Sequence, residues 1–298
     1  MSNPAKLFCF GLGFSALQLA QRLKHEGWIV AGTCRSEEKR QELEALGFAA
    51  HIFDRTHSLA DAALQGVTHI VSSIPPDDTG DSVLDCHVRD LQRLESLRWI
   101  GYLSTTGVYG DRGGDWVDEN SPRVPTQDRS RRRAQAEDSW LTLWERDGLP
   151  IHVFRLAGIY GPGRSAIDSL RDGTAKRVVK PGQLFSRIHV EDTAAVLMAS
   201  MARPNPGAVY NVCDDNPAPP DEVIVYAAKL LGVEPPLAVP FEQAELSDIA
   251  RSFYADNKRV RNNRMKEELG VQLKFPDYRS GLKAVLGGRT SADASKIL

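Results

Sequence analysis

The chain has 298 residues, of which 42% are hydrophobic and 26% charged, a balance typical of a globular protein with an ample core. Its 37 basic residues stand against 39 acidic ones, so we expect no nucleic-acid partner. The four cysteines are scattered singly, which predicts neither a metal site nor a disulfide framework and fits a cytoplasmic protein. No apolar run reaches the roughly 18 residues of a membrane helix, and the apolar stretch after Lys6 is interrupted by two glycines, so a buried strand is favoured over a signal peptide.

Short apolar runs alternate with helical patterns over the first 150 residues or so. The predicted strands are KLFCFG, WIVAGTC, FAAHIF, THIVSSI, WIGYLST and IHVFRLA. The predicted helices follow the first strand, run from Ser36 to Gly47, from about Ser82 to Leu97, and from about Arg129 to Arg146. Because the strands are apolar on both faces, helices must cover both sides of the sheet. The pattern therefore predicts an α/β fold with a doubly wound parallel sheet.

The second half of the chain is less regular. Segments 161–187 and 213–285 are richer in proline, glycine and charge, and we expect them to form a smaller substrate-binding cap interleaved with the sheet domain. Residues 1–160 and 188–212 would form the sheet domain. Residues 286–298, which are rich in Ser, Ala and Lys, predict a loose tail.

A glycine-rich loop follows the first predicted strand and precedes the first helix. Its residues are Gly11, Leu12, Gly13, Phe14, Ser15 and Ala16. They fit the pattern G-x-G-x-x-G/A, in which the first glycine permits a tight turn and the second lets the backbone approach a pyrophosphate. The third position is small, so that helix and strand pack closely, and the helix N-terminus offers free N–H groups to phosphates. At this junction the motif predicts a Rossmann-type dinucleotide site.

The end of the second strand indicates which dinucleotide is bound. An NAD site usually carries Asp or Glu there to hold the ribose 2′-hydroxyl, and this chain has none at that position. Arg35, aided by Ser36, could instead hold a 2′-phosphate through charge-assisted hydrogen bonds. The alternative is a solvated arginine at the start of a surface helix. The sequence favours NADP(H) over NAD.

Several further motifs resemble the extended short-chain dehydrogenase/reductase family, which contains nucleotide-sugar epimerases and dehydratases, and this chain resembles its atypical members. The similarity covers about residues 6–285. The motifs are STTGVYG at 104–110, DENSP at 118–122, RLAGIYGPG at 155–163, IHVED at 188–192 and YNV at 210–212. The resemblance implies that Asp54 faces the adenine, although it could equally be a helix cap, and that Ser72 and Ser73 line the cofactor cleft. It also implies a homodimer through the helices near 82–97 and 129–146.

The chain departs from the family at two places. The family usually carries G-x-x-G-x-x-G, and its first glycine position is Phe10 here. Family members also use Ser/Thr, Tyr and Lys for catalysis. Thr105 matches the Ser/Thr position, but alignment on Glu137 puts Arg129 at the Tyr position and Arg133 at the Lys position.

The missing tyrosine changes what the site can do, because a guanidinium does not give up a proton at physiological pH. Arg133 could still offer fixed charge to the nicotinamide ribose. Tyr109 is one candidate for a substitute acid/base, and the alternative is a core aromatic at a strand end. The arginine run from 129 to 133 places Arg129 and Arg133 on one helix face, where they could bind a substrate anion, or the run could be a solvated surface. Arg187, where cap and sheet should meet, is the next candidate for an anion.

Two hypotheses of different classes follow. The first is an NADP(H)-dependent oxidoreductase or epimerase-like enzyme that acts on a small polar, anionic or sugar-like molecule, with Thr105 polarising the substrate oxygen. The second is an NADP(H)-binding sensor or scaffold that has kept the pocket and lost turnover. Retention of Thr105 and of a full cap favours the enzyme, whereas the two arginines at the Tyr and Lys positions favour the sensor.

Overall fold

A seven-stranded parallel sheet forms the centre of the computed structural model, which describes residues 4–288. In chain order the strands are β1 (Lys6–Phe10), β2 (Ile29–Cys34), β3 (Ala49–Ile52), β4 (His69–Ser72), β5 (Trp99–Thr105), β6 (Trp116–Val117), β7 (Ile151–Leu156), β8 (Gly158–Tyr160), β9 (Arg177–Val179), β10 (Arg187–His189), β11 (Val209–Val212), β12 (Ala238–Pro240) and β13 (Arg259–Val260). The sheet has the order β11-β7-β5-β4-β1-β2-β3, and all its pairs are parallel. This is the doubly wound Rossmann order, so the predicted fold class is confirmed.

Helices cover both faces of the sheet. In chain order they are α1 (Phe14–His25), α2 (Glu37–Ala45), α3 (Ser82–Arg93), α4 (Asp128–Asp147), α5 (Ala166–Arg171), α6 (Val190–Ala202), α7 (Pro220–Leu231), α8 (Asp248–Phe253), α9 (Asn263–Leu269) and α10 (Tyr278–Gly287). One face packs against α1 and α6, and the other against α3 and α4. Within residues 4–288, no helix is both long and apolar enough to cross a bilayer.

The smaller layer is built from the later segments. Two buried clusters hold it together: one joins α5, α7 and α10, and the other includes Val178, Ala244 and Tyr254. Helix α9 differs from the predicted division, because Met265 and Leu269 are buried in the cluster of α1 and α6 on the sheet. Helix α10 includes the first two residues of the predicted tail, and residues 289–298 lie outside the described part of the chain.

A buried ion pair ties α4 to the sheet. The Glu137 carboxylate on α4 is fully buried and accepts hydrogen bonds from Arg155 Nη2 on β7 at 2.8 Å, from Arg123 Nη1 at 3.2 Å and from the Ser104 hydroxyl on β5. Arg155 Nη1 also donates to the Tyr109 hydroxyl at 2.9 Å. The network spans β5, β7 and α4, and it fixes the rotation of α4 about its axis.

Replacing Glu137 by Gln should lower the free energy of unfolding by about 3–5 kcal/mol, the cost of leaving one charge of a buried pair uncompensated. Urea unfolding followed by circular dichroism measures it. Asp138→Asn is the matched control, because Asp138 is 61% exposed in its salt bridge with Arg123 and should change stability by less than about 1 kcal/mol. Equal losses in both variants would contradict the assignment of this pair as the anchor of α4.

Candidate functional site

The glycine loop turns sharply between β1 and α1. Gly11 has φ +89°, a conformation that favours glycine, and a Cβ there would lie 2.7 Å from Ser73 Oγ. The Gly11 N–H donates to Thr33 Oγ1 at 2.8 Å, and Ser73 Oγ donates to the Gly11 carbonyl at 2.7 Å. The turn is therefore fastened to the end of β2 on one side and of β4 on the other. This is the role of Ser73 in the structure.

Gly13 has a different environment from Gly11. Its φ of −88° suits any residue, and a Cβ there would meet no protein atom within 4 Å. It begins α1, whose first turn carries neither a side-chain cap nor an acidic residue. Neither backbone strain nor packing against the described residues requires glycine here. The open space beside uncapped N–H groups fits a phosphate group brought close to the backbone.

The residues after Gly13 differ in exposure: Ser15 and Ala16 are buried in the core, whereas Phe14 is partly exposed. Ala16 is fully buried and Ser15 nearly so, which allows α1 to pack closely on the sheet as predicted. Phe14 is partly exposed, and its ring lies under the guanidinium of Arg164, 5.5 Å from centroid to Cζ. Phe10, which replaces the family's first glycine, is fully buried against Phe53. The departure at this position is thus a packing feature of the core.

Arg35 lies exposed after the end of β2, where it has no hydrogen bond or ion pair with any described residue. Its basic neighbours are engaged: Lys39 pairs with Glu42, and Arg40 pairs with two glutamates. Ser36 caps α2 by accepting a hydrogen bond from the Lys39 N–H at 3.2 Å. Arg35 is therefore the cation at this tip that remains available to an anionic ligand.

Asp54 follows β3 and is engaged in its own turn. Its Oδ1 accepts hydrogen bonds from the Thr56 N–H at 2.7 Å and the Thr56 hydroxyl at 2.6 Å, and also from the His57 N–H at 2.9 Å. These donors, above all the Thr56 hydroxyl, lower the pKa of Asp54, so the carboxylate is ionised. Asp54 thus closes its own turn, where no helix begins, so it is not a helix cap, and contact with adenine stays a prediction. Ser72 is fully buried, and its hydroxyl has no partner among the described residues.

Thr105 stands at the carboxyl end of β5, on the same edge of the sheet as the glycine loop. It is partly exposed, and its Oγ1 accepts a hydrogen bond from the Gly107 N–H at 3.1 Å. The hydroxyl proton remains available, so Thr105 can donate to an oxygen in the crevice. The order of the sheet reverses between β1 and β4, and such a crevice is where doubly wound sheets bind ligands.

Tyr109 lies in the core, away from the crevice. It is fully buried, its hydroxyl donates to Asn211 Oδ1 at 2.7 Å, and the same oxygen accepts from Arg155. Burial raises its pKa to about 12. This environment favours the alternative interpretation, a core aromatic at a strand end, over a proton-transfer role.

The arginine run divides into two pairs. Arg131 and Arg132 form surface salt bridges with Asp128 and Asp78. Arg133 turns toward the sheet, where its Nη1 donates to the Leu103 carbonyl at 2.9 Å and approaches the Ile74 carbonyl at 3.5 Å.

That position puts the Arg133 guanidinium between the loop after β4 and the end of β5. Arg129 faces the smaller layer, with its Cζ 4.1 Å from the centroid of the Phe253 ring on α8. The helix therefore presents Arg133 to the crevice and Arg129 to the smaller layer. It presents Arg131 and Arg132 to the surface.

Arg187 lies at the junction of the two layers. Its Nη1 donates to the Phe185 carbonyl at 2.9 Å and to the Ala218 carbonyl at 3.0 Å, and the side chain is partly buried. Burial lowers the pKa of Arg187, and the neighbouring Asp214 acts in the opposite direction. A guanidinium held this way keeps further N–H donors for an anion.

Two of the residues that hold the loop in place, Gly32 and Thr33, were not singled out from the sequence. Thr33 fastens Gly11, and Gly32 allows the loop to pack on β2, because a Cβ there would lie 2.6 Å from the Cys9 carbonyl and 2.7 Å from Leu12 Cγ. The sequence signal for both is that a glycine and a hydroxyl residue interrupt the predicted apolar strand WIVAGTC. Asp214 and Phe253 carried no sequence signal, since their importance depends on contacts between distant segments.

Proteins of known sequence or structure share this fold. A solved structure of a functionally unknown conserved protein from Silicibacter pomeroyi DSS is 50% identical, with a TM-score of 0.89 over 95% of this chain and 99% of that one. Protein YeeZ from Escherichia coli K12 is 28% identical over 91% of this chain and 97% of its own length. The structure of dTDP-glucose 4,6-dehydratase from Bacillus anthracis, in complex with NAD, has a TM-score of 0.73 at 18% identity over 96% of each chain. No protein-family model matches the chain.

Fold and crevice together define a Rossmann protein with the architecture of the NAD-dependent epimerases and dehydratases, which confirms the resemblance predicted from the motifs. Within that class, the chain belongs to the same family as the S. pomeroyi protein.

The two glycines of the loop should respond differently to substitution. Gly11→Ala should destabilise the fold by about 1–3 kcal/mol, because the residue combines a positive φ with a close approach to Ser73. Gly13→Val should leave the unfolding free energy within about 0.5 kcal/mol, because its side chain points into open space. Thermal and urea unfolding compare them. A large loss of stability in Gly13→Val would show that this glycine serves packing.

Proposed function

We propose that the protein is an NADP(H)-dependent oxidoreductase or epimerase-like enzyme that acts on a small polar, anionic or sugar-like molecule. The observation that carries the proposal is the open cradle at Gly13, beside the uncapped N-terminus of α1. Phosphates are the ligands that such a helix start attracts. Arg35, Ser72, Thr105 and Arg133 lie after or beside the carboxyl ends of β2, β4 and β5, where an extended dinucleotide would run across the edge of the sheet.

The preference for NADP(H) rests on Arg35. The B. anthracis dehydratase was solved with NAD, so a preference for NADP(H) in this chain depends on its own residues and not on the fold. In this chain β2 ends without the carboxylate that would hold a ribose 2′-hydroxyl, and the unpaired Arg35 guanidinium suits a 2′-phosphate. The Ser36 hydroxyl caps α2 and also donates a hydrogen bond to the Glu38 carboxylate, so its contact with the phosphate stays a prediction.

The chain's own side chains would orient the reactants. A bound nicotinamide supplies hydride transfer, and the protein supplies binding and electrostatics. Thr105 would donate its hydroxyl hydrogen to the substrate oxygen. Arg133, fixed by carbonyls of the sheet edge, would place positive charge near the nicotinamide ribose. Arg129 and Arg187 would attract the substrate anion.

The sensor hypothesis has an observation of its own. Arg129 cannot exchange a proton at physiological pH, and Tyr109 is buried with both its hydrogen-bond partners inside the protein. Such a crevice binds a dinucleotide without supplying the acid/base step, which is worth about 10²–10⁴ in rate. We prefer the enzyme for two reasons. Thr105 is partly exposed at the edge of the crevice with its hydroxyl hydrogen available, and the smaller layer is folded around its own buried clusters.

The homodimer stays a prediction. Residues on the outward faces of α3 and α4 are polar, including Asp85, Arg89, Gln92, Gln135 and Asp138. Light scattering on the purified protein decides whether these faces pair.

Arg35→Ala should weaken NADPH binding by about 1.5–3 kcal/mol, the range for a hydrogen bond to a charged group, and leave NADH binding nearly unchanged. Fluorescence titration of the two cofactors measures both values. Arg40→Ala is the matched control, because Arg40 is neutralised by its own helix. If Arg35→Ala weakens both cofactors equally, or if Arg40→Ala matches it, Arg35 does not hold the 2′-phosphate.

Thr105→Val should lower kcat by about a hundredfold, as expected on removing a donor to the reacting oxygen, while the Kd for NADPH stays within about twofold. A panel of carbonyl compounds and nucleotide sugars supplies the assay. The double variant Arg129→Tyr with Arg133→Lys then separates the hypotheses. An enzyme that uses arginines to bind an anion loses activity, whereas a protein that lost turnover gains it.

A further inference from the structure

A buried acid lies beside Arg187 where the two layers meet. Asp214 follows β11 by two residues and is 1% exposed. Its backbone N–H donates to the Arg187 carbonyl at 2.6 Å, and its Oδ1 accepts from the Asn216 N–H at 3.2 Å. Oδ2 accepts no hydrogen bond from any described residue. A fully buried carboxyl with one unpartnered oxygen is costly as an anion, and such groups in folded proteins call for an explanation.

The surroundings of Asp214 keep it neutral at ordinary pH. Burial raises the pKa of this carboxyl to about 8, and the neighbouring acids Asp215 and Asp277 add to that effect, while Arg187 opposes it. The phenol of Tyr160 faces the same space, and burial raises its pKa out of the accessible range. Arg187 is therefore the cation that an ionised Asp214 would face.

Arg187 itself lacks a counter-ion. Its Nη1 is held by two backbone carbonyls, and it forms no salt bridge with an acid in the described part of the chain. Asp214 is the acid that affects the pKa of Arg187 most, and each of the two groups shifts the pKa of the other. The charge on Arg187 is thus available to a bound anion as long as Asp214 holds its proton.

We propose that Asp214 is a positioning residue for the substrate anion. As a neutral acid it leaves the Arg187 charge to an anionic group, such as a phosphoryl group or a carboxylate, and once ionised it competes with that group for the same guanidinium. By linkage, binding of the anion and retention of the Asp214 proton favour each other. The inference rests on the proposed function, which assigns a substrate anion to Arg187.

Sulfate is a suitable probe, because it does not change charge between about pH 6.5 and about pH 9.5. Equilibrium dialysis at constant ionic strength measures sulfate binding. The binding that is lost in Arg187→Gln is the binding at this site.

In the wild type, the sulfate affinity of this site should be constant up to about neutral pH and weaken about tenfold above the Asp214 pKa, within the usual range for coupled sites. Asp214→Asn should bind sulfate at every pH with the affinity that the wild type shows at neutral pH. The reason is that its amide keeps the Asn216 contact and cannot ionise.

Asp215→Asn is the matched control, because Asp215 adjoins Asp214 but pairs with Lys266 at the surface. It should keep the pH-dependent loss of sulfate binding, with the midpoint shifted only slightly to lower pH, because the Asp215 charge is a minor cause of the raised pKa of Asp214. The proposal is overturned if Asp214→Asn retains the pH dependence, if it binds as weakly as Arg187→Gln at neutral pH, or if Arg187→Gln abolishes no sulfate binding. Should Asp214→Asn fail to fold, the wild-type profile still decides, since pH-independent binding contradicts the proposal.

NADPH affinity, measured on the same samples, separates this inference from the proposed function. If the wild type does not bind NADPH but shows the expected pH dependence of sulfate binding, the cofactor assignment is contradicted and the anion site is supported. A normal NADPH affinity with a flat sulfate profile would remove the role of Asp214 alone.

Discussion

The buried pair of Glu137 and Arg155 links the helix that carries the arginines to the sheet that carries the crevice. Glu137 has no exposed surface, and its acceptors are filled by donors from β5, from β7 and from the loop before α4. Breaking such a pair leaves an uncompensated charge in the interior. The rotation of α4 about its axis is thereby set, and with it the direction in which Arg129 and Arg133 point.

Much of the fold could be predicted because each local signal agreed with the global one. Apolar runs of six or seven residues between helical patterns place the parallel strands, and GLGFSA marks the junction of β1 with α1. The cap of α2 by Ser36 also follows from sequence, since it depends on residues three apart. The start of helix α9 at Asn263 does not follow from local sequence, because Arg259 and Val260 just before it pair with β6, a partner more than a hundred residues earlier in the chain.

The direction of individual side chains could not be predicted in the same way. Tyr109 resembles a candidate acid in sequence, yet Asn211 and Arg155, which lie on other strands, fix its hydroxyl in the core. Asp54 turns back on its own loop. The arginine run has one composition and two environments, which only the packing of α4 distinguishes. The sequence predicts a role best where that role depends on the residue type at one position. Gly13 and Arg35 are such positions.

Binding of NADP(H) in the crevice between β1 and β4 underlies the proposed function. Titration of the wild-type protein with NADPH, followed by nicotinamide fluorescence with NADH in parallel, tests it most directly. Saturable binding is predicted for NADPH, with a lower Kd than for NADH, and Gly13→Val should abolish it in a folded protein. If neither cofactor gives a saturable change with folded wild-type protein, the claim is contradicted.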